Sequence, residues 1–214
     1  MSARNPRMVR LVPVLLSLLL GLMLATGVQA VTAQAASKST KVKALISKII
    51  KSKNPKKTYN GLSKANKALL RKELKGGKTL RVVRTPVSPL GVTPNAGATG
   101  TCWNKSLEAR YWGGVTKKLL FATTQTTTVC VIDGNVSQVT VPQRFPDVYG
   151  LGWHPDGVSR ATLDVDWEGR GVARGEFKWG AGGWYLFHGS VCSQLRLNRD
   201  FIHYAGSLAC SVQS

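Results

Sequence analysis

Sixteen of the chain's thirty basic side chains fall between residues 38 and 84, and Glu73 is the single acid among them. Over residues 85–214 eleven bases meet nine acids, and the other three bases are Arg4, Arg7 and Arg10. The 214-residue chain therefore joins a strongly cationic segment to a nearly neutral one. Charge at that density attracts polyanions and excludes the balanced surface of an ordinary cytosolic enzyme. Hydrophobic residues at 43% still suffice for a packed core, so wholesale disorder is not expected.

The first thirty residues read as an export signal. Arg4, Arg7 and Arg10 precede an uncharged apolar run, Leu11 to Ala25. Val28-Gln29-Ala30 then places small residues where a signal peptidase cuts, with Ala33-Gln34-Ala35 as a second site. A retained anchor is the alternative, since a bilayer needs about twenty apolar residues. Pro13, Ser17, Gly21 and Gln29 weaken it. No Cys lies near the cut and no Arg pair precedes the run, so neither a lipid anchor nor twin-arginine export is indicated.

Within the basic block, Val42, Leu45, Ile46, Ile49 and Ile50 recur at helical spacing. Pro55 after Asn54 is expected to end that helix. Ser63 is a plausible N-cap for a second, in which Ala65, Leu69, Leu70 and Leu74 line one face before Gly76-Gly77. Lys41, Lys43, Lys48, Lys51, Lys53, Lys56, Lys57, Lys64, Lys67, Arg71 and Lys72 are the candidate polyanion-binding residues. Outside a cell the candidate partners are an acidic wall polymer, a membrane surface and nucleic acid. An apolar stripe flanked by Lys favours an interfacial role. Nucleic acid is disfavoured because only Tyr59 in the block can stack on a base. Short isolated helices are marginal in water, so their order depends on a partner; a solvated basic tail is the competing interpretation.

Pro86, Pro89 and Pro94 with Gly91, Gly97 and Gly100 mark residues 85–100 as a linker. Residues 101–214 read as antiparallel β-structure, a sandwich or small barrel, so the expected fold class is mainly β behind a basic helical segment over 38–84. Gln125 to Ile132, the turn Asp133-Gly134 and Val136 to Val141 read as a hairpin. Leu163, Val165 and Trp167 alternate with acids, and Ala173, Gly175 and Phe177 alternate with charges. A three-residue loop at Gly169-Arg170-Gly171 would then set Trp167 opposite Ala173 and Asp166 opposite Arg174. Cys102, Cys130, Cys192 and Cys210 allow three disulfide pairings, of which the sequential one, Cys102 with Cys130 and Cys192 with Cys210, is preferred. Bridges agree with export.

Val129-Cys130-Val131-Ile132-Asp133-Gly134, with Gly169-Arg170-Gly171 and Arg174-Gly175-Glu176-Phe177-Lys178, resembles a pattern in uncharacterised secreted β-rich proteins of actinomycetes. The resemblance implies export and a β-fold. It carries no activity and no site.

Little in the chain points to catalysis. Asp164-Val165-Asp166-Trp167-Glu168-Gly169 opens like a calcium loop, but position twelve is Gly175, and strand acids are the better interpretation. Cys102-Trp103 with distant His203 lacks the helix pattern of a thiol protease, and His188 near Ser190 lacks a nucleophile elbow. The three His, at 154, 188 and 203, make no metal motif. All six Trp follow residue 100, and Trp153 and Trp179, beside Gly and Pro, are the candidates for an exposed ring that stacks on a glycan. The expectation is a secreted, non-catalytic binding protein of the envelope or extracellular space, without cofactor or metal. Its alternative is a secreted hydrolase with an unlocated site.

Overall fold

The computed structural model describes residues 37–83, 100–141, 146–200 and 204–213. The expected leader, both cleavage sites, His203 and nearly all of the expected linker lie outside them.

Two antiparallel sheets dominate, and neither closes into a barrel. In the first, β1 (Gly77–Val83), β2 (Gly100–Trp112), β3 (Leu119–Ile132) and β4 (Asn135–Thr140) run in that order, and β5 (Asp147–Val148) also pairs with β3. The second is a meander of β6 (Trp153–Val165), β7 (Glu168–Ala181), β8 (Trp184–Asn198) and β9 (Tyr204–Ser207). They pack face to face, β2 over β8 and β3 over β7, the sandwich arrangement of two half-buried sheets.

The turns follow from backbone chemistry. Asp133 and Gly134 have φ of 50° and 80°, and Gly182 and Gly183 have 59° and 77°. Two successive positive φ values make the tight turn whose twist suits a hairpin, so the β3–β4 and β7–β8 connections need two residues each. The expected hairpin at Asp133-Gly134 is present.

The β6–β7 register differs from the sequence-based expectation. The turn is Asp166-Trp167, which pairs Val165 with Glu168 and Leu163 with Arg170. Leu163 and Val165 therefore share the outer face with the charges of β7: the partner of Val165 is Glu168 in place of Gly175, an offset of seven residues, and an odd offset exchanges the two faces. The cause is the role of three glycines. Gly169, Gly171 and Gly175 lie on the inner face of β7, where a Cβ at Gly169 would sit 2.7 Å from the Val129 side chain and at Gly171 2.5 Å from Thr127 Oγ1. Absent side chains let the sheets approach, and the spacing that resembles a turn is a packing device. Opposite them Gln125 is fully buried yet satisfied: its amide donates to Thr127 Oγ1 and Gly171 O, and its Oε1 accepts from Ala173 N and Ser193 Oγ.

Cys102 is bonded to Cys130 across the β2–β3 pair, and Cys192 to Cys210. The second bridge draws the C-terminal segment over the outer face of β8 and β7, where Gln194 donates to Ser211 O and Arg170 to Val212 O. Beneath it Glu168 accepts from both Arg170 and Arg196.

Three helices precede β1: α1 over residues 37–50, α2 (Pro55–Asn60) and α3 (Lys64–Leu74). The sequence implied two, because Pro55 was expected to stop a helix. Here it starts one, at the first turn where its missing N–H has no helical role, and Asn54 Oδ1 caps it by accepting from Lys57 N at 3.0 Å. Ser63 caps α3 as expected, accepting from Asn66 N. The block is also not helical throughout, since residues 77–83 form edge strand β1.

The helices are docked on the sandwich. Ile49, Tyr59, Leu70 and Leu74 share one core cluster with Tyr111, Phe121, Trp153, Phe177 and Trp179. Tyr111 OH donates to Leu74 O at 2.7 Å, and Gly114 N donates to Glu73 O. Both bonds satisfy carbonyls that the end of α3 would leave open.

Candidate functional site on the helical layer

Docking sorts the side chains of the basic block into two sets. Val42, Leu45 and Ile49 turn inward and are buried. Lys41, Lys43, Lys48, Lys51, Lys53, Lys56, Lys57, Lys64, Arg71 and Lys72 are exposed, and Lys67 is half-buried. All eleven candidate residues thus lie on one layer made by α1, α2, α3 and the connection between the first two. The expected interfacial stripe is not displayed: Val42, Leu45 and Ile49 are spent on the core, because burial beside the sheet removes the same apolar area from water that a membrane would.

The acid inside the block does nothing to offset this charge outwardly. Glu73 is 1% exposed. Its carboxylate points into the loop after β2 and accepts from Val115 N at 2.7 Å, Thr116 N at 2.9 Å and Thr116 Oγ1. Three donors compensate a buried charge that would otherwise be costly. Among the described residues no ion pair links a helical Lys or Arg to a carboxylate. Two of the bases are oriented: Lys67 Nζ donates to Asn60 O at 2.8 Å, and Arg71 Nε to Tyr59 OH at 3.2 Å. The others are exposed, and among the described residues none is paired with a carboxylate.

No family model, curated protein or solved structure matches this chain.

The expected stacking rings are not available. Trp153 is 5% exposed and Trp179 is fully buried. They sit directly opposite one another in the β6–β7 pair, and Trp153 packs on Phe121 at 4.9 Å and Phe187 at 5.6 Å. Neighbouring Gly and Pro gave both a loop-like context, but each lies in a strand that faces the core. Trp167, at the tip of the β6–β7 turn, is instead 51% exposed. It stands at the end of a hairpin, and among the described residues no ring contact joins it to another aromatic side chain.

The outer face of the second sheet carries a further polar cluster. A bulge between Pro155 and Gly157 leaves Asp156 without a partner in register, and bulges of this kind re-aim a side chain. Asp156 reaches Lys178 Nζ at 2.7 Å and His188 Nδ1 at 3.5 Å. The Lys178 hydrogen bond holds the Asp156 carboxyl below its ordinary range, and the same bond raises Lys178. Arg174 pairs with Glu176 at 3.0 Å. Ser190 lies on the same face as His188, and a shallow depression of about 220 Å³ joins them. These groups neutralise one another, and Asp156 is engaged through both oxygens. His188 is thereby engaged with Asp156, and Ser190 lies beside it on the same face. Among the described residues no group of three His, Cys, Asp or Glu has metal-binding geometry, and no helix is long and apolar enough to cross a membrane.

Proposed function

We propose that this is an exported, non-catalytic protein that holds to an anionic polymer or surface through the outer side of its helical layer. The observation that carries the proposal is the sorting just described. Thirteen Lys and Arg between residues 38 and 75 share one layer with a single acid, and that acid is buried. Tertiary docking makes this a fixed platform, so less conformational entropy is lost on binding than a mobile basic tail would lose. Each base close to an anionic membrane contributes about 1 kcal/mol of attraction, so half of them engaged suffice for retention at low ionic strength. The apolar run at residues 11–25 supports export, and the two disulfides are compatible with an oxidising compartment.

The test compares two charge-neutralised variants. One carries Gln at Lys41, Lys48, Lys53, Lys56 and Lys57; the other carries Gln at five bases of the sandwich, Lys105, Lys117, Arg174, Lys178 and Arg199. Both lose five charges. Pull-down on purified acidic wall polymer and on anionic vesicles at low salt should fall at least tenfold for the first and little for the second. Equal losses would mean that net charge alone drives attachment and would end the proposal.

A further inference from the structure

The cationic layer borders an apolar edge whose nature narrows the choice of partner. Tyr149 is 57% exposed and Leu151 is 53% exposed, though they stand only two residues apart. Neither belongs to a floppy loop. Tyr149 N and Gly150 N both donate to Leu120 O, Trp153 N donates to Gly150 O, and Leu151 O accepts from Trp179 Nε1 at 3.0 Å. With its backbone satisfied inward, the loop presents two apolar side chains to solvent in a fixed arrangement.

That loop sits against α1. Tyr149 and Leu151 line one cavity of about 220 Å³ together with Ile46, Trp153, Lys43 and Lys118. Its lining is mainly apolar, and the two Lys stand among it. Among the described residues no ion pair joins either Lys to a carboxylate, and Glu73, which also reaches this cavity, spends its carboxylate on Val115 and Thr116. An acidic wall polymer offers such a place charge alone, and a nucleic acid adds a base to stack on Tyr149 but no apolar phase for Leu151. An anionic lipid surface offers both halves, phosphate for the cations and acyl boundary for the apolar pair, which is the pairing found on proteins that lie in the interface. Charge complementarity and continuity with the cationic layer thus select one occupant.

We infer that the edge where α1 meets the Tyr149–Leu151 loop inserts into an anionic lipid surface, with Tyr149 and Leu151 entering the interface while Lys43 and Lys118 hold headgroup phosphates. This rests on the attachment proposed above and names its partner. Asp147, exposed and two residues before Tyr149, opposes insertion by repelling the same headgroups, so Asp147→Asn should strengthen binding.

The experiment uses the exported protein with its leader removed. It measures partition onto phosphatidylglycerol/phosphatidylcholine vesicles and, in parallel, affinity for inorganic polyphosphate, a polyanion with no apolar phase. Tyr149→Ser with Leu151→Ser should lower vesicle partition by about tenfold, the effect of withdrawing two partly inserted side chains, and leave polyphosphate affinity unchanged. Tyr149→Phe with Leu151→Met should restore partition. Lys43→Gln with Lys118→Gln should weaken vesicle binding by a similar factor. Unchanged partition of the Ser variant overturns the lipid inference. So does loss of polyphosphate affinity in that variant, because the lesion would then be general. The attachment itself fails on a different result: unchanged polyphosphate affinity after the five helical Lys→Gln substitutions.

Discussion

Glu73 shows how one residue sets the field of a whole surface. Had its carboxylate faced outward, it would have placed a negative charge among the exposed Lys and Arg of the layer. Turned inward, it ties α3 to the loop of residues 113–118 and leaves the cations without a counter-charge. Glu73→Gln keeps the shape but removes the charge from hydrogen bonds to Val115 N, Thr116 N and Thr116 Oγ1. It should cost about 1–3 kcal/mol, a fall in Tm of roughly 3–10 °C by calorimetry. Asp156 and Lys178 form the other informative pair. The carboxyl is depressed by its hydrogen bond to Lys178, so whatever stability the pair gives is present above the ordinary Asp pKa and lost as pH falls through the depressed value. The Lys side has the opposite sign: its part is complete below the ordinary Lys pKa and is lost as pH rises through the elevated one. In an NMR titration Lys178→Gln should move the Asp156 midpoint upward toward the ordinary carboxyl range. An unmoved midpoint would remove Lys178 as the cause.

At the scale of elements, what could be read from the sequence depended on whether a residue's local and tertiary roles coincided. Ser63 is a cap in sequence and in space, and Asp133-Gly134 is a turn in both. Pro55 has two local meanings, and the capping Asn54 before it decided for a helix start. Gly169 and Gly171 have a local meaning as a turn and a tertiary one as points of sheet contact. The tertiary role prevailed, and the expected register slipped. β1 went unrecognised because it is an edge strand with a mostly exposed pattern, so no alternation of apolar and polar residues marks it. Trp153 and Trp179 were misplaced for the same reason as the glycines: their neighbours suggest loops, whereas their burial depends on residues distant in sequence, such as Tyr59, Tyr111 and Phe121, that share their core cluster. The cationic residues were legible because charge density needs no register. Tyr149 and Leu151 were not, since two apolar residues on either side of Gly150 look the same whether they are exposed or buried. Docking of α1 can be tested apart from function. Ile49→Ser loses a fully buried side chain and buries a hydroxyl, at about 2–5 kcal/mol. Far-UV dichroism and Trp emission should lose stability together. A helix transition separate from an unchanged sheet transition would contradict the shared core.

Over the whole molecule, a nearly neutral sandwich carries an unneutralised cationic layer at one end of its core. The disulfides across residues 102–130 and 192–210 close loops worth about 3–4 kcal/mol each in the chain-entropy treatment, which helps a sandwich whose inner face contains buried Gln125, Thr123 and Thr127. In the proposed attachment, a basic layer held in place by a rigid scaffold acts as many simultaneous weak contacts. Salt dependence reads that number directly, since each contact released changes the slope of log K against log salt by about 0.7 for a single-stranded polyanion. The decisive measurement is this slope for a single-stranded oligonucleotide, used as a polyanion of known charge spacing, with the intact protein and with the variant bearing Gln at Lys41, Lys48, Lys53, Lys56 and Lys57. The intact protein should bind with a steep negative slope, and the variant, with unchanged Tm, should lose about 2–4 units of it. An identical slope in a folded variant would show that the helical layer is not the binding surface.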